Sequence, residues 1–248
     1  MRGTLDRAAP RRAVGAAALA LVLAATGHLT VGLQAQSGAS GVPDLSGIWT
    51  RDGRAGTPGE LPLNARGVAL REAVDESLAP MYDCVPATVP HMLGDPYNFS
   101  IEQQADRVLI RYEKDAVLRT VWLDGHGHPK ATPNDYAVQG HSTGRYEGNE
   151  LVVETSKFTF DPAGLEDKPP MVPSSTQKKV VERYSIVDGR LIANLVMEDP
   201  LIMTGPVPFR FEFRKTEDAL VEWPECDPVQ SRAPLNYLPV DQLKYGIR

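Results

Sequence analysis

Of the five histidines in the chain, His126, His128 and His141 fall close together, with Asp124, Asp135 and Tyr136 between or beside them. Side chains at i and i+2 of a strand share a face, so His126 and His128 could chelate one ion, with His141 from the next strand and Asp124 or Asp135 completing the set. Gly125 and Gly127 argue instead for a turn, and a turn would leave the segment wet and unliganded. A metal-free acid–base site, with no cofactor, is the sharper candidate. There His128 and His141 approach across residues 132–139, Asp135 orients one imidazole, and Tyr136 donates a hydrogen bond to a developing oxyanion. An imidazole titrates near neutrality and a carboxylate partner raises its basicity. Lining an apolar cavity, such a set suits an isomerase or lyase that moves protons on a hydrophobic substrate. The blander alternative has His141 and Asp135 satisfying backbone groups where the chain crosses a barrel end.

Glu182 is the second focus. It shares a strand face with Val180, Tyr184 and Ile186. If that face points inward, the carboxylate is buried and must be paired or protonated. Arg111, Arg119 and Arg183 are candidate partners, and a structural ion pair competes with a functional acid for the assignment. Arg111, Arg119, Trp122, Tyr146 and Tyr184 are the residues that could contact a bound ligand.

Gly140-His141-Ser142-Thr143-Gly144 matches the Gly-x-Ser-x-Gly pattern of a nucleophile elbow. That motif needs a strand–turn–helix setting and a histidine later in the chain. No histidine follows Ser142, and a Gly-Asn hairpin with a valine-rich strand comes next, so the glycines read as easing a strand into a bend.

The elements that must position these residues are mostly strands. Residues 45–51 form a first strand, and a helix is predicted over 64–78, with Asn64 as N-cap and Val68, Leu70, Val74 and Leu78 on one face. From residue 98 the hydrophobic period changes to two. Strands are predicted over 98–104, 107–113, 117–123, 138–146, 150–157, 178–187, 190–197, 207–215 and 219–223. The breaks between them carry turn chemistry, as in Asp124-Gly125, Gly148-Asn149 and Asp188-Gly189. Phe209, Phe211 and Phe213 alternate with Arg210, Glu212 and Arg214, which gives that strand one buried and one wet face. Residues 161–173 form a Pro-rich excursion of the kind that lids a barrel mouth. The fold class is therefore all-β: an antiparallel, lipocalin-like β-barrel, with a β-sandwich as runner-up and one short N-terminal helix.

Gly47-Ile48-Trp49 on the first strand resembles the Gly-x-Trp signature of lipocalins, and Asn134-Asp135-Tyr136 resembles that family's Thr-Asp-Tyr loop. Lipocalins have two barrel strands and a helix after that loop, whereas 112 residues and about six strands remain here. The resemblance thus implies a closed barrel with an interior, not the lipocalin topology. Nearly the whole chain after residue 44 is similar to a family of exported bacterial proteins of uncharacterised function. The matching pieces are Asp44–Trp49, Trp122–Pro129, Gly140–Thr155, Val181–Tyr184 and Asp199-Pro200. Tyr146 stands where the family pattern has Trp, and His126 where it has Arg. The resemblance implies export and transfers no activity.

Export is also written at the start of the chain. Arg2, Arg7, Arg11 and Arg12 precede an uncharged, alanine- and leucine-rich stretch over 13–33, and small residues near Ala35 complete a secretory signal peptide over 1–35. An uncleaved anchor is the competing reading, since the uncharged stretch could just span a bilayer. Cleavage removes those four arginines and Asp6, which shifts the formal charge from −6 to −9. That charge excludes a basic nucleic-acid footprint and disfavours an anionic membrane surface. After a linker over 36–44, a single barrel-like domain is expected over 45–226, with a C-terminal tail over 227–248. In an oxidising compartment, periplasmic or secreted, Cys84 and Cys226 are expected to form a disulfide, with two buried free thiols as the alternative. Two functional classes stay open: a module that holds a small hydrophobic or aromatic ligand in the barrel, or an enzyme that uses the same residues for proton transfer there.

Overall fold

The computed structural model describes residues 41–53, 59–123, 136–221 and 226–237. The signal peptide, most of the linker, the Asp124-Gly125 turn, His126, His128 and Asp135 lie outside the described residues.

Nine strands close into a barrel: β1 (Gly47–Arg51), β2 (Phe99–Gln103), β3 (Arg107–Tyr112), β4 (Leu118–Trp122), β5 (His141–Glu147), β6 (Glu150–Ser156), β9 (Lys179–Val187), β10 (Arg190–Glu198) and β11 (Val207–Thr216). Their order around the wall is β1-β11-β10-β9-β6-β5-β4-β3-β2, and the β1–β2 pairing completes the ring. Every pairing is antiparallel except β4 with β5, which is parallel. The expectation of a wholly antiparallel barrel is corrected at that one seam. β7 (Asp161–Glu166) and β8 (Val172–Ser174) form a separate two-stranded sheet, so the Pro-rich excursion is an ordered hairpin.

Alternation puts one row of each strand inside. Val108, Ile110 and Tyr112 of β3, Leu191, Ala193, Leu195 and Met197 of β10, and Phe209, Phe211 and Phe213 of β11 are all buried there. Phe99 anchors this core, its ring edge-on to Phe213 at 4.8 Å and stacked on Tyr112 at 5.5 Å. In the Gly-x-Trp segment, Gly47 has φ +131°, pairs with Ile101 and leaves the space of a Cβ to the Lys215 side chain, while the buried Trp49 donates its indole N–H to the Leu45 carbonyl at 2.9 Å. Gly144 permits the parallel seam, because a Cβ there would come within 2.7 Å of Val121 Cγ1.

The register divides the barrel into two unlike ends. At one, short turns join β2 to β3, β5 to β6 and β9 to β10. At the other, the long connections from β1 to β2 and from β6 to β9 fold over the opening, so Val89, Met92, Leu93, Leu165, Met171 and Val172 are buried in the cover. The helix predicted over 64–78 is shorter: α1 runs Ala65–Ala73, capped by Asn64, whose side chain accepts from the Gly67 amide. A 3₁₀ turn over Glu76–Leu78 follows, and Leu78 is 46% exposed. Gly67 is the one buried residue of α1, because its face lies against the Ile202 carbonyl and has no room for a side chain. α2 (His91–Gly94) belongs to the cover.

Three further expectations are adjusted. β5 begins at His141 rather than at residue 138, since Ala137 makes an isolated bridge to Phe158. No strand forms over 219–221, where Val221 is exposed and its amide is bound by the Glu113 carboxylate. Cys84 and Cys226 form the expected disulfide, which ties α3 (Pro228–Arg232) to the cover, and Arg232 reinforces it with an ion pair to Asp83.

Candidate functional site

Arg119 and Glu182 are charged residues that the period-two pattern turns inward and that the barrel buries. On β4, Arg119 shares the inner row with Val121; on β9, Glu182 shares it with Val180 and Tyr184. The two side chains are 2% and 0% exposed, and they are joined by Nη1 donating to Oε2 at 2.9 Å and Nη2 donating to Oε1. Burying two charges is expensive unless their remaining hydrogen-bonding capacity is met. The intervening strands meet it. Ser142 of β5 accepts from Arg119 Nε at 3.1 Å, Thr155 of β6 accepts from Nη2 at 2.5 Å, and the Tyr184 hydroxyl donates to Glu182 Oε2 at 2.5 Å. Burial pulls the Arg119 proton affinity down, but the adjacent Glu182 outweighs it, so the guanidinium stays charged. Burial and then the Glu182 charge hold the Tyr184 phenol well above its ordinary range.

Tyr112 completes the inner ring of polar groups. Burial pushes its phenol up to about 12, against a smaller pull from Arg119. Its oxygen faces the Arg119 guanidinium, while its own proton finds no acceptor. Glu182 already accepts from both Arg119 nitrogens and Tyr184, and Thr155 lies 3.4 Å from Oε1, so it has no capacity left for the Tyr112 proton. Tyr112 also lines a narrow recess at the covered end, whose free volume of about 10 Å³ is room for one water, with Pro86, Ala87, Met92, Tyr97 and Val117 as its apolar walls. An ion pair between Asp95 and Lys114, at 2.9 Å, stands on its rim. One phenol thus belongs both to a surface recess and to the charged network inside.

The other residues singled out in the sequence separate by strand parity. Of the ligand-contact candidates, Arg119, Tyr146 and Tyr184 lie on inner rows, with the Tyr146 hydroxyl accepting from Gln103 at 2.7 Å near the hairpin end. Arg111 and Trp122 lie on outer rows, and the Arg107 guanidinium covers the Trp122 ring at 4.6 Å. Arg183 also faces out, where it pairs with Glu147 and Glu150 at 3.0 Å. His141 is next to Ser142 on β5 and so leaves on the opposite face from the Arg119–Glu182 network. Burial and then Lys157 lower its pKa from the ordinary value. Tyr136 sits half-buried one residue before the Ala137–Phe158 bridge. Among the described residues no three His, Cys, Asp or Glu side chains converge as a metal site. The Gly-x-Ser-x-Gly serine is strand, not elbow, with its hydroxyl spent on Arg119 and Thr155.

Ser142, Thr155 and Tyr112 were not singled out as a polar set by sequence reading, although each carries a signal: a hydrogen-bonding side chain at the inward parity of an otherwise apolar row. Lys178 carries the same signal, since the strand predicted over 178–187 puts it at the parity of Val180 and Glu182, and it too was not singled out. It is fully buried.

No protein family matches the sequence, and no curated protein matches it. Among solved structures, the chain is similar to a secretory abundant heat soluble protein from Ramazzottius varieornatus, at 12% identity over 71% of this chain and 98% of that one, with a TM-score of 0.37. It is also similar to the zebrafish ileal bile acid-binding protein in complex with cholic acid, at 11% identity over 69% of this chain and 98% of that one, with a TM-score of 0.34. The barrel rests on its own strand register rather than on these likenesses. Among the described residues no helix is long and apolar enough to cross a membrane.

Proposed function

We propose that this protein is an exported binding module: a barrel that takes a small, largely hydrophobic or aromatic molecule carrying one acceptor oxygen, a carbonyl or carboxylate. The observation that carries this reading is the Tyr112 hydroxyl, a buried donor without an acceptor beside a narrow apolar recess that a ligand would widen on entry. An unmet buried donor costs about 1–3 kcal/mol, which an acceptor from a ligand would recover. Of the five N–H groups of Arg119, four are directed at Ser142, Thr155 and Glu182, and its guanidinium also faces the Tyr112 oxygen, which leaves the phenol proton as the free donor. The apolar walls would take the body of the ligand, as is usual for small-molecule sites.

The proton-transfer alternative needs His141 and Glu182 to meet on one substrate atom. They leave β5 and β9 on different faces, and this favours binding over catalysis. The disulfide supports the periplasmic or secreted location, where such a bond persists.

The test is titration with 1-anilinonaphthalene-8-sulfonate, an aromatic body with an anionic head, followed by native mass spectrometry for stoichiometry. One molecule should bind per chain, and Tyr112→Phe should weaken it by roughly 10- to 100-fold, the value of one hydrogen bond to a charged acceptor. Equal affinity in the Tyr112→Phe variant would remove the phenol from the site, and no saturable binding would remove the reading itself.

A further inference from the structure

The cover over the non-hairpin end is held by two buried bases that the binding site does not use. Lys178 is 0% exposed, and its ammonium donates to Thr88 Oγ1 at 2.8 Å and to the Gly164 carbonyl at 2.7 Å, with the Phe158 ring 4.8 Å away. Thr88 belongs to the β1–β2 connection and Gly164 to β7, so one side chain pins both halves of the cover to the base of β9. His91 does the same from the other direction. It stands on α2 with Nδ1 3.7 Å from Asp167 of the β7–β8 hairpin, its ring is edge-on to Phe209, and its Nε2 is buried without a partner.

We propose that the β7–β8 hairpin is a lid that acid loosens, with Lys178 and His91 as its latch. Both groups are bases kept in a place that penalises their charged form. Burial lowers the Lys178 amine to about 8, although Asp161, Asp199 and Asp167 act on it from β7, the β10–β11 loop and the hairpin. Burial likewise lowers His91 below 6.5, and Lys178 adds to this; Asp167 and Glu166 oppose it, as does the Leu165 carbonyl. An opened lid hydrates both groups and returns them to 10.5 and 6.5. Each base then binds its proton more tightly open than closed, so closure weakens as pH falls. Lys178 acts between about 10.5 and about 8, with an upper bound of roughly 300-fold on the open-to-closed ratio, and His91 adds a second loss as pH falls through 6.5.

Opposing this, Leu165, Met171 and Val172 stay buried under the lid, so the closed form dominates and opening is a local fluctuation. The lid is also chemically distinct from the barrel wall, since its two strands pair only with each other.

Hydrogen exchange read by mass spectrometry, corrected for intrinsic exchange and run at pH 9.5, 7.5 and 5.5, tests the latch on the whole chain. Protection over residues 161–174 should fall at least tenfold from pH 9.5 to 7.5 and again by pH 5.5, while residues 190–198 of β10 stay constant. Lys178→Met should abolish the first step and His91→Phe the second. Flat protection of 161–174 in the unaltered protein overturns the latch, and it does so even if neither variant folds. That the opened end admits ligand rests on the binding reading above. The two fail separately: absence of anilinonaphthalene sulfonate binding at every pH removes the binding reading and leaves the exchange result standing.

Discussion

Arg119 and Glu182 meet face to face inside the barrel from strands separated by β5 and β6, joined by two N–H···O bonds with no solvent at either side chain. Ser142 and Thr155, from the two intervening strands, fill the polar capacity that the pair leaves over. Four consecutive strands of the wall thus contribute to one hydrogen-bonded array, and that array pins their mutual register, including the parallel β4–β5 seam.

The array should be worth far more intact than in halves. Arg119→Met leaves Glu182 as an uncompensated buried carboxylate and should cost about 3–5 kcal/mol, and Glu182→Leu should cost a similar amount. The double variant Arg119→Met with Glu182→Leu should lose much less than the sum, since it removes both desolvation costs together. Urea denaturation of the four proteins reads this coupling directly. If the two single losses simply add, the pair is not the unit described.

The separation of inner from outer rows was legible in the sequence wherever alternation was strict. Glu182 and Tyr184 could be placed on one face with Val180 by parity alone, whereas Arg119 stood beside Arg111 and Arg183 as a candidate partner and only the closed barrel selects it. His141 and Glu182 could not be placed relative to one another by that means, since parity is defined within a strand and the two belong to different strands. The parallel seam was invisible for a related reason: nothing local distinguishes a strand paired in parallel, and Gly144 is informative only once Val121 is known to face it. The cover was the least legible part. Thr88 and Gly164 are far apart in sequence and follow no period, so their contact with Lys178 is a product of the long connections. The helix ends at Ala73 because Val74 turns to extended backbone while its amide still bonds the Leu70 carbonyl, a local change that helical spacing of apolar residues does not report.

The disulfide closes a loop of 142 residues and anchors α3 beside the cover. On the chain-entropy estimate a loop of that size is worth about 4–5 kcal/mol. Cys84→Ser with Cys226→Ser should therefore lower the denaturant midpoint by an amount equivalent to about 2–5 kcal/mol. Dithiothreitol should shift the unaltered protein similarly and leave the variant where it is. A midpoint insensitive to both would show that the ion pair of Arg232 with Asp83 and the packing of α3 hold the tail unaided.

The phenols of the inner ring set the alkaline limit of the fold. Tyr112 is raised to about 12 and Tyr184 well above 10, in each case by burial first. A phenol whose folded pKa exceeds its unfolded value of about 10 stabilises the native state below that value, and the contribution is lost as pH rises through the folded pKa. Stability should thus decline from about pH 10 toward 12. Lys178 works in the opposite sense just below, since its depressed value makes stability rise between about 8 and 10.5. The combined contribution of these three groups therefore rises to about pH 10 and falls above it. Ultraviolet titration at 295 nm checks the phenols separately: of the eight tyrosines in the chain, the signal of two should stay silent until unfolding releases them. Ionisation of all eight near pH 10 with the far-ultraviolet circular dichroism unchanged would mean that the inner ring is open to solvent, and the account of Tyr112 as a dry, unmet donor would fall with it.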